Sequence, residues 1–177
     1  MIVLVLAAGV AFSGLGQLTE GMGFAMCHKA SSGLKDMRWD RDGTRPKIVV
    51  QRLARCANLL VRAHREGIRY AGLARVVGIA YAETNFRPGA VGSVGERGML
   101  QVTPEKHCHL AGGLKACDYD LAGLRYFKSL VAREKRRASK ARQRFSWTLV
   151  LWRYNGGKTY AKKVEAYART ALHRWRR

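Results

Sequence analysis

Residues 81–101 read Tyr-Ala-Glu-Thr-Asn-Phe-Arg-Pro-Gly-Ala-Val-Gly-Ser-Val-Gly-Glu-Arg-Gly-Met-Leu-Gln. They join an acid, Glu83, to a glycine-rich loop that ends in an amide, Gln101. Upstream, Ala71 to Ala82 reads as a mostly apolar helix, with Leu73, Val76, Val77, Ile79 and Ala80 leaving it little polar surface. A carboxyl group at the end of such a helix sits where water is thin. Desolvation raises its pKa and keeps it protonated near neutral pH, the state a general acid needs. Gly89, Gly92, Gly95 and Gly98 recur every third residue, and Pro88 stops the helix from running on. The same residues also permit a blander picture, a surface glutamate followed by a loose loop. Met99, Leu100 and Val102 put the Gln101 amide among apolar neighbours. A buried amide needs hydrogen-bond partners, and a sugar hydroxyl or N-acetyl group is one.

Outward from this stretch the pattern is helical. Lys47 to Glu66 predicts an amphipathic helix with Val49, Leu53, Cys56, Leu60 and Ala63 on one face, ended by Gly67. His64 falls on its basic surface as a solvated side chain. After the loop, Thr103-Pro104-Glu105 reads as a capped helix start, and Gly112-Gly113 breaks that short helix. A longer helix starts at Asp118 or Asp120, with Leu121, Leu124, Tyr126, Phe127, Leu130 and Val131 as its apolar face. It runs into a dense basic stretch, Arg133 to Arg144, which reads either as a solvated helix end with a mobile loop or as a phosphate- or wall-binding patch. Ser146 caps a helix from Trp147 to Arg153, which presents Tyr154 and Asn155 before Gly156-Gly157 stops it. Tyr160 to Arg177 forms the last helix. Strand signals are few, so the expected class is all-α, at most α+β with a small irregular sheet.

The leading residues are different in kind. Residues 1–18 carry no charged side chain and read as an export signal or a retained arm for membrane or assembly contact, although no lysine or arginine precedes the apolar run. Residues 19–46 read as a connecting region in which Met22, Phe24 and Met26 cover part of the domain. The domain proper is expected over 47–177.

With 33 Lys and Arg against 12 Asp and Glu, the 177-residue chain carries a formal charge of +21. Such a field favours polyanions, whether nucleic acid, anionic lipid or an acidic wall, and does not choose among them. The four cysteines fit an oxidising compartment. Cys108 with Cys117, and Cys27 with Cys56, are possible pairs; free thiols remain an alternative. So does a zinc site from His107, Cys108, His109 and Cys117, although that spacing matches no standard one.

Three blocks, in order, resemble the lytic transglycosylase family of the lysozyme superfamily. Glu83-Thr84-Asn85-Phe86 is similar to its Glu-Ser-x-Phe segment. Gly95-Glu96-Arg97-Gly98-Met99-Leu100-Gln101 is similar to its Gly-x-x-Gly-Leu-Met-Gln segment, and Arg153-Tyr154-Asn155-Gly156-Gly157 to its Ala-Tyr-Asn-x-Gly block. The resemblance spans about residues 50–170 and leaves the first 45 outside it. It implies a compact helical lysozyme-like domain, peptidoglycan as substrate, and cleavage between N-acetylmuramic acid and N-acetylglucosamine with closure of a 1,6-anhydro ring. Glu83 would serve as the acid and then the base. Thr84, Gln101, Tyr154 and Asn155 would contact the substrate, Phe86 would anchor the loop, and no cofactor is expected. The setting is open between a bacterial periplasm or envelope, serving a secretion or conjugation channel, and a phage virion that opens the wall for genome delivery.

Five positions depart from the family pattern. Thr84 stands for serine, Met99-Leu100 reverses Leu-Met, and Arg153 replaces alanine, placing a cation near the cleft to attract substrate carboxylates. Glu96 stands where a small residue is common. It is expected to pair with Arg97 or another cation; facing the cleft, it would instead hold a water for ordinary hydrolysis. The remaining alternative is a non-catalytic module with a structural or DNA-contacting role.

Overall fold

The computed structural model describes residue 23 and residues 25–28, 46–87 and 89–172. Residues 1–18, most of 19–46, and the last turns expected up to Arg177 lie outside the described residues. What is described is mostly helical, with no regular strand. Two isolated bridges, Val91 with Arg97 and Arg97 with Val102, form the whole of its β-structure. Among the described residues, no helix is long and apolar enough to cross a membrane.

Helix α1 spans Pro46–Arg65 and buries Leu53, Cys56, Leu60 and Ala63 as the three- and four-residue spacing predicts. Gly67, at φ +79°, ends its last turn. Met26 is fully buried, and Cys27 is joined to Cys56 on α1 by a disulfide, so this part of the connecting region does cover the domain. Met22 and Phe24 lie outside the described residues.

Helix α2, Tyr70–Thr84, is the axis of the domain. Every residue from Gly72 to Tyr81 is buried. One of them is Arg75, whose guanidinium makes two hydrogen bonds to Glu165, at 3.1 and 2.8 Å, and lies over the Trp147 ring. A charge survives in this core because it is fully paired.

The short α3, Pro104–His107, starts with Pro104 in its first turn, but Thr103 makes no side-chain cap bond. The chain then turns through Gly112 and Gly113, which the Cys108–Cys117 disulfide closes. Both pairings read from the sequence are therefore formed. The zinc alternative falls with them, because disulfide sulfurs are not thiolate ligands. Among the described residues there is no cluster able to hold a metal.

Helix α4, Tyr119–Lys140, is capped by Asp118, which accepts from Leu121 N at 3.0 Å. Its core face is Ala122, Gly123, Leu124, Phe127 and Leu130; Leu121, Tyr126 and Val131 are only half-buried. The basic stretch is helical up to Lys140 and most of its basic side chains are exposed, as a solvated helix end requires, but Glu134 within it is fully buried. Glu134 accepts two hydrogen bonds from Arg137, one from Arg153 and one from Ser146 N. That carboxylate fastens α4 to helix α5, Trp147–Asn155, at both ends of the latter. Ser146 caps α5 through Leu149 N, and Gly156, at φ +80°, ends it.

Helix α6, Lys158–Leu172, packs along α2 with Ala161, Val164, Ala168 and Ala171 inward. The small side chains let the two backbones meet. A Cβ on Gly78 would stand 2.7 Å from the Val164 carbonyl oxygen. The outcome is α2 enclosed by α1, α4, α5 and α6, with its C-terminal turn left open to one side.

Candidate active site

Glu83 occupies that open turn. The chain leaves α2 through two consecutive left-handed residues, Asn85 at φ +54° and Phe86 at φ +62°. Asparagine tolerates this region; phenylalanine does so at a cost of about 1–3 kcal/mol. The offset is burial: Phe86 is wholly enclosed and meets Tyr81 edge to face at 5.5 Å. Phe86 thus anchors the loop, as expected.

The loop folds back over the helix end. Gly92 N donates to Glu96 O, and Arg97 and Val102 exchange two backbone hydrogen bonds. Gly98, at φ +76°, lies against Tyr119 and Asp120, where a Cβ would come within 2.9 Å of both. Asp120 accepts from Met99 N at 2.9 Å and ties the loop to α4; burial raises its pKa.

Glu83, Glu96, Gln101, Tyr154, Asn155 and His107 line one cleft of about 360 Å³, with Ser93, Thr103 and Tyr126 also in its wall. Asn155 Nδ2 donates to Glu83 Oε1 at 3.2 Å. The buried Tyr160 hydroxyl stands against the same carboxylate and favours its anion, but without the alignment of a regular hydrogen bond. Despite these contacts the Glu83 pKa is raised. Burial is the main cause and the charge of Glu96 adds to it; Tyr160, Asn155 and Lys163 oppose it. Burial also pushes the Tyr154 and Tyr160 hydroxyls far up, with the Glu83 charge second in each case. Both phenols are neutral donors at any ordinary pH.

The sequence-predicted residues divide. Glu83, Gln101, Tyr154 and Asn155 come together. Thr84 does not join them: it is 2 % exposed, and its hydroxyl faces the Ala80 and Met99 carbonyls at 2.9 and 3.2 Å. It stitches helix to loop and does not reach the cleft. Gln101 reaches the cleft with its amide hydrogens already engaged, donating to Gly98 O at 2.8 Å and Ala90 O at 3.2 Å. Only its carbonyl oxygen is left for a ligand. Tyr154 donates to Leu100 O at 2.7 Å, so its lone pairs, not its proton, are left.

Two expectations are corrected. Glu96 pairs with no cation among the described residues; it accepts from Val94 N and faces the cleft. The tight loop forces this, since Glu96 Oε2 fills the space a Cβ on Gly92 would take, at 2.2 Å. Arg153 is not a cleft cation, because Glu134 holds its guanidinium at 3.1 Å.

Sequence reasoning missed Tyr160, Tyr126 and His107 as site residues. Tyr126 sat on a face read as apolar, Tyr160 was named only as the start of the last helix, and His107 was noticed only as a zinc candidate. Comparison with protein-family models, curated proteins and solved structures finds no match. What stands is the geometry: one half-buried acid of raised pKa, a second carboxylate in the same cleft, and amide and phenol groups around them.

Proposed function

We propose that this chain is a peptidoglycan lytic transglycosylase on a lysozyme-like helical domain. One observation carries the reading: the three separated blocks meet at one cleft, around a glutamate whose pKa burial raises. Glu83 gives its proton to the glycosidic oxygen as the bond to C1 of N-acetylmuramic acid breaks. The substrate's own N-acetyl group shares the positive charge at C1. The 6-hydroxyl then closes on C1, and its proton returns to Glu83. The acid is regenerated, no water is consumed, and no cofactor takes part. Asn155 holds the carboxylate in line. Gln101 and Tyr154 offer lone pairs to sugar hydroxyls and the acetamido N–H.

Glu96 supports a second reading. Two carboxyl groups in one cleft suit hydrolysis, with Glu96 activating a water. Purified peptidoglycan digested by the wild type, Glu83→Gln and Glu96→Gln, with products weighed, separates the two. Anhydro ends lost only in Glu83→Gln support ring closure. Reducing ends lost in both variants support hydrolysis. A wild type that releases nothing leaves a non-catalytic module. The excess of surface cations draws the enzyme to a polyanionic wall, DNA or anionic lipid, and fits delivery to the bacterial envelope either by export or in a virion.

A further inference from the structure

The exterior of this protein is strongly cationic, yet among the described residues no lysine or arginine lines the Glu83 cleft. The lining holds two carboxylates, hydroxyls, amides and one group able to become a cation, His107. The ring of His107 is fixed by two contacts. Its Nδ1 lies 2.9 Å from the Thr103 carbonyl, and its face lies 4.3 Å from the Tyr126 ring, centroid to centroid. A carbonyl only accepts, so Nδ1 carries the hydrogen. In the neutral ring Nε2 is then a bare lone pair.

We infer that His107 is the specificity residue by which the cleft tells an uncharged N-acetyl sugar from a carboxylate-bearing one; this rests on the saccharide reading of the cleft. With Nε2 unprotonated, the ring accepts a hydrogen bond from a sugar hydroxyl or an acetamido N–H and repels a carboxylate oxygen. With Nε2 protonated, it donates to a carboxylate and puts a positive charge into a cleft wall that holds no lysine or arginine among the described residues. Neutral ligands lose an acceptor and anionic ligands gain a charged donor, so the preference reverses with one proton. The surroundings favour the neutral ring near pH 7. Burial lowers the pKa first, the Thr103 carbonyl opposes this, and His109 and Lys106 on the same segment lower it further. From α4 the facing groups are Tyr126 and, behind it, Arg133; across the cleft stand Glu83 and Glu96. The acidic substituents of the substrate are therefore directed outward at neutral pH, toward the cationic exterior. The arginine of the third block does not take this part, because Arg153 is committed to Glu134.

The test measures binding apart from cleavage, in the Glu83→Gln background, by calorimetry at about pH 5 and about pH 8. The probes are chitotetraose, which is uncharged, and the N-acetylglucosamine–N-acetylmuramic acid disaccharide with its free lactyl carboxylate. The ratio of the two affinities is expected to move toward the disaccharide by about tenfold at the lower pH, the size of one charge-assisted hydrogen bond. Adding His107→Gln, polar but not titrating, is expected to flatten that shift while chitotetraose still binds. A shift that survives His107→Gln, or no shift with both probes bound, overturns the assignment of His107 alone. Failure of both probes to bind at either pH overturns the saccharide reading of the cleft along with it.

Discussion

Replacing Gly78 by alanine tests how α2 and α6 share the work of building the site. In an isolated helix the change stabilises by about 1 kcal/mol. Here the new Cβ would meet the Val164 carbonyl oxygen at 2.7 Å and Val164 Cγ1 at 2.9 Å. Ordinary contact starts at 3.4 Å, so the carbonyl must recede by 3.4 − 2.7 = 0.7 Å. A backbone oxygen cannot rotate aside; α6 has to move as a body. Overpacking of this kind costs about 1–3 kcal/mol, and a rigid partner puts it in the upper half of that range. The net expectation is a loss of about 1–2 kcal/mol, read as a lower urea midpoint at unchanged slope. Gly72→Ala is the internal control. Its Cβ meets a side-chain methyl, Ile68 Cγ2, at 2.7 Å, and otherwise only the Phe127 and Trp147 rings at an ordinary 3.7 Å. That methyl sits on the Cβ of the buried, β-branched Ile68 and recedes only as that one side chain shifts, so the variant should lose less stability than Gly78→Ala, where a whole helix must move. Because Tyr160 lies one turn before Val164, the recoil in Gly78→Ala also draws its hydroxyl from Glu83. The Glu83 pKa then rises, and the alkaline limb of the activity profile moves to higher pH. A Gly78→Ala protein as stable as the wild type, or two variants of equal cost, would refute the backbone-contact argument.

The remaining predictions concern titration and cross-links. Activity requires protonated Glu83, so the rate falls as pH rises through its raised pKa; Glu96→Gln should move that limb to lower pH and Tyr160→Phe to higher pH, as measured in pH–rate profiles. Glu83 binds its proton more tightly folded than unfolded, so its contribution to stability declines as pH rises from its ordinary value of 4.5 through the raised one. Glu83→Gln should therefore be more stable than wild type near neutral pH and show no such gain in acid; equal midpoints at both would count against a desolvated carboxyl. Removing the Cys108–Cys117 link, which closes a separation of 9 residues, should cost about 2–3 kcal/mol, and removing Cys27–Cys56, with 29, about 3–4 kcal/mol. Urea unfolding of the paired Cys→Ala variants measures both, and the reverse ranking would contradict the loop-length account.

Several helix ends were legible because they carried a local device. Ser146 and Asp118 cap through their own side chains, and Gly67 and Gly156 adopt left-handed conformations that stop a helix. The meeting of Glu83, Gln101, Tyr154 and Asn155 was legible only as an ordered set of blocks. What stayed hidden depends on partners far along the chain. Nothing near Arg153 announces that Glu134, 19 residues earlier, will claim it. Nothing near Thr84 says that the Met99 carbonyl, 15 residues later, will turn its hydroxyl inward. The direction of Glu96 was missed because charge counting favours a salt bridge in so basic a chain, whereas the turn at Gly92 leaves its carboxylate one place to go.

That miss bears on the chemistry. Among the described carboxylates, Glu66, Asp118, Glu134 and Glu165 are each held by an arginine. Asp120 is spent on the loop backbone. In a protein with such an excess of cations, the two carboxylates facing the cleft, Glu83 and Glu96, stand outside every ion pair of the described residues. A cation within about 4–6 Å would pull the Glu83 pKa down and leave a base where an acid is needed. The arginines near the site are therefore as important for where they are tied as for what they bind. Arg153 on Glu134 and Arg75 on Glu165 fix the two helices that carry Asn155 and Tyr160, and the positive charge that does bear on Glu83, that of Lys163, is outweighed by burial.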